Sequence, residues 1–357
     1  MELASFSIIL TDQCNFDCAY CYQKKGKQRL DPAVLARAVR FFGPFFAREC
    51  LIDFYGGEPL LAFAEIRRAV GQIDGISKRR GLKPRYSITT NGSLLNEEVL
   101  DCLEDHRFSI LLSFDGLAQD ISRKKGSFDF LVSVIPKILK RPRISLETNS
   151  VFTSDTIPYL SRSIELIDQL GVRKIGVGFG HSRPWPSSSL LRQKKEIARL
   201  RKYFRSRYQK MTDVPWTDLS EKWGWGIHSC EGGLSRLALA ADGRLWGCFL
   251  FPHFFQSSKA IRESRKYCFG GIDTFIKHHH TIYPRTMEHY AALRMDNFST
   301  PAGPCAACDE LEECWICPLS AALISKKIGR IPALVCGGAK MWRKETNRLR
   351  ERFGQPN

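Results

Sequence analysis

Short apolar runs alternate with longer stretches of helical periodicity from residue 6 to about residue 180. The runs are Phe6 to Leu10, Leu51 to Tyr55, Tyr86 to Thr90, Ser109 to Phe114, Ile144 to Asn149 and Lys174 to Phe179. They are rich in Ile, Leu, Val and Phe and mostly lack polar alternation. Strands buried on both faces of a parallel sheet read this way. Between them lie helical patterns. The first opens with Asp31 as a cap and Pro32 at the first helical position, and continues through Leu35, Val39 and Phe42. Others cover about 63–80, 95–105, 127–140 and 157–170, and Gly81 and Gly171 stand where helices stop. Six βα units in a row predict an α/β fold with right-handed crossovers, either a barrel or a doubly wound sheet. In both, functional residues belong at the C-terminal ends of the strands.

The pattern then changes. Residues 181–190 read as a linker. A helix follows, with Ile197, Leu200, Phe204, Tyr208 and Met211 at helical spacing. Residues 191–210 hold nine Arg or Lys and one acid, Glu196. That is either a solvated bridging helix or a docking surface for an acidic segment of substrate. Trp223-Gly224-Trp225-Gly226 reads as packing at a domain junction. Leu237 to Leu239 and Leu245-Trp246 flank Asp242-Gly243, a hairpin signal. His278-His279-His280 reads as a solvated loop, and Lys340 to Arg352 as a basic amphipathic helix.

Composition narrows the class. The chain has 357 residues, 43% hydrophobic and 25% charged, as in globular proteins. No apolar run reaches the roughly 18 to 20 residues of a membrane helix, and the N-terminus does not read as an export signal. Thirteen cysteines with no such signal point to a reducing, cytoplasmic setting and to metal or redox chemistry rather than disulfides. The net charge of +17 fits nucleic acid, an acidic partner or a solvated surface.

Three of the cysteines follow the first strand directly, at Cys14, Cys18 and Cys21. Three thiolates from one loop can converge on a four-iron cubane and leave one iron open to an outside ligand. The second strand ends in Gly56-Gly57-Glu58-Pro59, where glycines admit a ligand close to the backbone and Glu58 offers an acceptor for an ammonium. The third ends in Thr89-Thr90-Asn91-Gly92 and the fourth in Ser113-Phe114-Asp115-Gly116; each is also an ordinary turn sequence. All four stand at strand C-terminal ends.

A second cysteine block comprises Cys230, Cys248, Cys305, Cys308, Cys314, Cys317 and Cys336. Paired C-x2-C can hold zinc, but seven cysteines exceed one zinc site. Cys50 and Cys102, one in a strand and one in a helix, read as buried packing.

The first loop, C-x3-C-x2-C, resembles the signature of the radical S-adenosylmethionine (SAM) enzymes. The resemblance covers residues 6 to 345. It implies a partial (β/α)6 barrel followed by a small cysteine-rich SPASM domain with a β-hairpin and short helices. The expected boundaries are 1–180 for the barrel, 181–228 for the linker and basic helix, 229–345 for the SPASM domain and 346–357 for the tail. In that family the open iron is chelated by SAM, whose one-electron cleavage gives a 5′-deoxyadenosyl radical that abstracts a substrate hydrogen. By resemblance Cys14, Cys18 and Cys21 hold the SAM-binding 4Fe–4S cluster. Tyr20, Gly56, Gly57, Glu58, Pro59, Asn91, Ser113, Asp115 and Arg123 surround SAM. Asp120, Arg123, Gly126, Phe128 and Asp129 resemble a motif of the peptide-modifying branch, with Gln119 where that branch has His.

The later block resembles the SPASM pattern except for x2 rather than x3 between Cys314 and Cys317. It implies two auxiliary 4Fe–4S clusters. Cys230, Cys248 and Cys317 would serve the nearer one, with Cys268 or an open iron completing it. Cys305, Cys308, Cys314 and Cys336 would serve the farther one. The implied activity is hydrogen abstraction from a ribosomally made precursor peptide or a protein. A flavodoxin or ferredoxin would donate electrons. The cluster loop starts at residue 14, so leader recognition falls to the core fold or a separate protein. Two alternatives stay within the class: a sulfatase-type maturase making formylglycine, and a small-molecule or haem-pathway SPASM enzyme. The maturases carry an Asp base directly after the cysteine matching Cys248, where this chain has Phe249. A non-catalytic iron–sulfur regulator binding nucleic acid explains the charge but not Gly56-Gly57-Glu58-Pro59.

Overall fold

The computed structural model describes residues 2–180, 185–217, 230–257, 266–293, 297–314 and 316–352. Trp223-Gly224-Trp225-Gly226 lies outside them. The chain forms two compact units. One takes in Met1–Asn15, Tyr22–Thr89 and Gly224–Cys336, the other Phe16–Cys21, Thr90–Trp223 and Gly337–Asn357.

In the first unit, β1 (Leu3–Thr11) lies between β2 (Phe46–Gly56) and β7 (Arg236–Leu239), parallel to both. Beyond β2 comes parallel β3 (Arg85–Thr90); beyond β7 come antiparallel β8 (Arg244–Trp246) and β9 (Cys268–Gly271). The expected hairpin at Asp242-Gly243 is the β7–β8 turn. Helix α1 (Pro32–Phe42) starts as the sequence requires, with the Asp31 carboxylate accepting from Ala33 N at 2.6 Å and Val34 N at 3.2 Å. It buries Leu35, Ala38, Val39 and Phe42, and Phe42 meets Phe6 of β1 at 5.2 Å between ring centroids. Each such ring contributes about 1.5–3 kcal/mol by leaving water. Helix α2 (Phe63–Arg80) ends at Gly81, whose φ of 65° is free of strain only for glycine.

From Phe6 to Thr11, β1 is buried on both faces, as its apolar composition suggested, but β2 is not. Ile52 and Phe54 of β2 are fully buried on the face that α1 covers, while Asp53 and Tyr55 are half-buried on the other. In register with Asp53 stand Ser7 of β1 and Ser87 of β3. This second face is polar enough to line a hollow rather than a packed core. The helix Ile272–Ala291 covers the far end of the sheet; Arg37 of α1 holds its Asp273 by two hydrogen bonds of 2.6 and 2.9 Å. His278 to His280 belong to this helix, not to a loop. The backbone kinks at His278, and His279 packs edge-on against Phe41 at 5.3 Å, so an aromatic contact holds the segment.

In the second unit, β4 (Ser109–Ser113), β5 (Ser145–Phe152) and β6 (Ile175–Phe179) form a parallel ladder, β5 in the middle. Helices α3 (Glu97–Asp105), α5 (Ser127–Leu139) and α6 (Leu160–Gln169) complete the βα repeats, and a single turn, α4 (Gln119–Ser122), precedes α5. Helix α7 (Ser187–Arg207) begins within the stretch read as linker. It buries Ile197, Leu200 and Phe204 of the stripe seen in the sequence, while Tyr208 and Met211 lie past its end, where the backbone turns extended at Tyr208. Trp342, from the closing helix Ala333–Arg352, packs against Phe179 at 5.3 Å and Trp216 at 5.0 Å.

Candidate active site

In the first unit, the loop after β1 and the end of β2 are tied backbone to backbone. Gly57 N donates to Thr11 O and Glu58 N to Gln13 O, both at 2.8 Å. A Cβ on Gly57 would lie 2.1 Å from Gln13 O, and one on Gly56 2.4 Å from Thr11 O, where φ is +142°. Both glycines are therefore required for the loop that leads into Cys14 to lie on this strand end. Glu58 is fully buried, and one carboxylate oxygen caps the following turn at Leu60 N, 3.1 Å away. Pro59 opens that turn. Tyr55 donates to or accepts from Tyr22 at 2.6 Å between hydroxyls, and its ring meets Phe249 at 4.6 Å. On the same strand face, Ser87 donates to Asp53 at 2.6 Å, and burial pushes the Asp53 carboxyl up to about 6.

In the second unit, the cluster-loop residues 16–21 dock on the segment after β4. Ala19 N donates to Ser122 O at 2.9 Å, and Lys124 lies over the Phe16 ring at 5.3 Å. Tyr20, beside Cys18 and Cys21, donates its hydroxyl to Asp115 at 2.7 Å. Asp115 is fully buried and accepts three further bonds: from the Ser122 hydroxyl, from Val151 N at 2.8 Å, and from Arg123 at 3.0 Å. Arg123 also reaches Asn149 O at 3.2 Å and lies 5.3 Å from the Tyr20 ring centroid. Burial works against the guanidinium's charge, but the Asp115 carboxylate more than offsets it, so Arg123 stays protonated. Its Nε is buried without a hydrogen-bond partner. Asn91 is buried, its side chain accepting from Ser93 N at 3.0 Å and from the Ser93 hydroxyl at 2.7 Å; Ser113 ends β4, paired in register with Asn149.

The motif around Arg123 has a local purpose. Asp120 accepts from Gly126 N at 2.9 Å and Phe128 N at 2.8 Å, which folds the loop back on itself. Gln119 stands between Asp115 N at 2.9 Å and the Ser127 hydroxyl at 3.0 Å. As an amide it accepts at one end and donates at the other.

The later cysteines fall into two electrostatic neighbourhoods, both in the first unit. Burial raises Cys248 and Cys317, and the charge of Cys230 raises both further; Cys317 also acts on Cys248. Burial likewise raises Cys305, with further upward pushes from Cys314, Cys336 and Cys308. Thiols so placed resist ionisation until a cationic centre joins them, which suits an iron–sulfur donor set. Cys268 stands on β9, its thiol donating to Leu245 O at 3.7 Å and accepting from Gly270 N at 3.3 Å. Among the described residues no three His, Cys, Asp or Glu side chains are gathered closely enough to hold a single metal ion.

Several residues of this site are not singled out by sequence. Ser122 and Asn149 act through bonds that only the fold creates. Asp53 and Ser87 leave one signal: polar residues inside strands otherwise apolar.

The profile of the Radical SAM superfamily matches residues 8–141. The radical SAM cyclopropyl synthase TigE of Paramaledivibacter caminithermalis is 25% identical over 197 residues, 49% of this chain and 41% of TigE. The chain thus spans less than half the length of that relative. Among solved structures, native anSMEcpe with bound AdoMet matches with a TM-score of 0.73 at 17% identity, covering 98% of this chain and 97% of the other. Streptococcus suis SuiB bound to precursor peptide SuiA matches at 0.59 and 13% identity, covering 94% and 76%. Both likenesses are of fold.

Proposed function

We propose, from the match of residues 8–141 to the Radical SAM superfamily, that this protein is a radical SAM enzyme modifying a ribosomally made peptide or a protein. The observation that carries the reading is the buried Asp115–Arg123–Tyr20 constellation with its unpartnered Arg123 Nε. A guanidinium kept charged in a buried place, with one N–H unspent, suits an incoming carboxylate such as that of SAM. Glu58, at the cradle formed by Gly56 and Gly57, suits its ammonium. When bound, a 4Fe–4S cluster on Cys14, Cys18 and Cys21 supplies reductive cleavage of SAM to a 5′-deoxyadenosyl radical. The chain's own part is to hold Tyr20 and Arg123 rigidly, through Asp115, where SAM arrives. Asn91 and Ser113 would stand beside it at the ends of β3 and β4. The electron would come from a flavodoxin or ferredoxin in the cytoplasm.

Two auxiliary 4Fe–4S clusters belong to the same reading, one on Cys230, Cys248 and Cys317, the other on Cys305, Cys308, Cys314 and Cys336. The two electrostatic neighbourhoods of the thiols support that partition. Cys268 stands as a candidate fourth ligand for the first. A peptide substrate is supported by the fold likeness to SuiB, whose structure holds a precursor peptide. A separate leader-recognition protein is a candidate partner. The formylglycine alternative lacks its base: Phe249 presents a ring to Tyr55 where the maturases carry Asp.

The test is anaerobic incubation of the reconstituted protein with SAM and dithionite. 5′-Deoxyadenosine should form, and Cys18→Ala should abolish it. A fully reconstituted protein that forms none refutes the reading.

A further inference from the structure

Helix α7 carries most of the basic run at residues 191–210, and its two sides are sorted by charge. Glu196, the only acid in that run, points inward. It is fully buried and accepts from the Ser161 hydroxyl at 2.5 Å and from Arg199 at 2.6 Å. Arg201 is spent on Glu345 and Arg207 on Asp168. Arg192, Lys195 and Lys202 are exposed and, among the described residues, have no acidic partner. They recur at intervals of three and seven residues, which places all three along one stripe opposite the buried Ile197, Leu200 and Phe204, with Arg199, already paired with Glu196, between them. Leu191, 56% exposed, sits at the head of the same stripe. The solvent-facing side is therefore cationic and free of acid, with an apolar residue beside it.

We propose that this stripe docks an acidic segment of the peptide substrate, its carboxylates on Arg192, Lys195 and Lys202 and an apolar side chain on Leu191. The proposal rests on the peptide-substrate reading above. Charge complementarity favours a polyanion, and the side chains favour peptide over nucleic acid. Proteins that bind single strands stack bases on exposed aromatic rings. The aromatic residues at and just past the C-terminal end of α7 are otherwise engaged: the Tyr203 and Tyr208 hydroxyls are both tied to Asp168, and Phe204 is buried. Ten residues of helix rise about 15 Å, a length that about four or five extended residues span.

The experiment uses the full chain and fluorescein-labelled decaglutamate, with binding read by anisotropy at low and high salt. A neutral decaglutamine and a ten-nucleotide oligo-dT are run beside it. Decaglutamate should bind and weaken strongly with salt, and decaglutamine should not bind. Lys195→Glu/Lys202→Glu should weaken decaglutamate at least tenfold. Arg68→Glu/Lys78→Glu, an equal charge change on the exposed side of α2, should weaken it less than twofold. Circular dichroism and retained 5′-deoxyadenosine formation show that the variants are folded. Equal loss in both double variants reduces the effect to net charge and overturns the proposal, as does absence of decaglutamate binding. Tighter binding of oligo-dT through the same two lysines overturns it in favour of nucleic acid. Since 5′-deoxyadenosine formation does not involve α7, failure here is distinct from failure of the enzyme reading.

Discussion

Arg123 donates to Asp115 at 3.0 Å, and both are buried. Asp115→Asn removes the counter-charge and leaves the guanidinium buried without it. Breaking a buried pair in this way costs about 3–5 kcal/mol. The midpoint of urea unfolding should fall accordingly. Arg123→Lys keeps the charge but loses the planar fork that reaches Asp115 and Asn149 O together. SAM affinity, measured by equilibrium dialysis on the reconstituted protein, should fall about tenfold while the unfolding midpoint changes less than in Asp115→Asn.

Gly57→Ala tests the cradle. Its Cβ would meet a backbone carbonyl, Gln13 O, which cannot swing aside as a side chain can. Overpacking of this kind costs about 1–3 kcal/mol, and here the displaced atoms lead into Cys14. Iron content at the first cluster and SAM binding should both drop. Gly71→Ala, on α2 with open space around it, should leave them unchanged and stabilise by about 1 kcal/mol.

Asp53 predicts a dependence on pH. Its carboxyl is raised by burial from the usual value of 3.8 to about 6. A raised acid binds its proton more tightly folded than unfolded, so it costs stability once the unfolded chain ionises. The cost is absent below about pH 4, grows between about pH 4 and 6 and is complete above. Asp53→Asn should therefore unfold at higher urea than the parent at about pH 7.5, with the gap closing by about pH 4. A gap that is constant across that range would contradict the assignment.

Iron counting tests the cysteine partition. Three 4Fe–4S clusters correspond to about twelve irons per chain. Cys308→Ala and Cys230→Ala should each remove up to about four, and the double variant up to about eight. If the double variant loses no more iron than either single, the two sets of thiols serve one cluster.

Much of this is legible in the sequence because the candidate residues stand at strand ends. The six strands, the Asp31 cap and the β7–β8 hairpin follow from periodicity and turn residues alone. The cysteine loop and Gly56-Gly57-Glu58-Pro59 are visible because their spacing is local. What stays hidden depends on long-range register. Asp53 meets Ser87 only once β2 and β3 are aligned. Asp115 finds Val151 N only across the β4–β5 ladder. The His278 to His280 run reads as a loop because its anchor, Phe41, lies far away in the chain.

The pairing of β1 with β7 bears on how the chain is made. Ser5 meets Arg236 and Ile8 meets Leu239, partners separated by some 230 positions. As the ribosome releases the chain from its N-terminus, one edge of β1 has no neighbour until most of the polypeptide has emerged. An open, apolar strand edge invites pairing with other molecules, and such distant closures are slow. A fragment ending at residue 180 would keep that edge bare. It should collect in inclusion bodies even though it contains the whole stretch that matches the radical SAM profile.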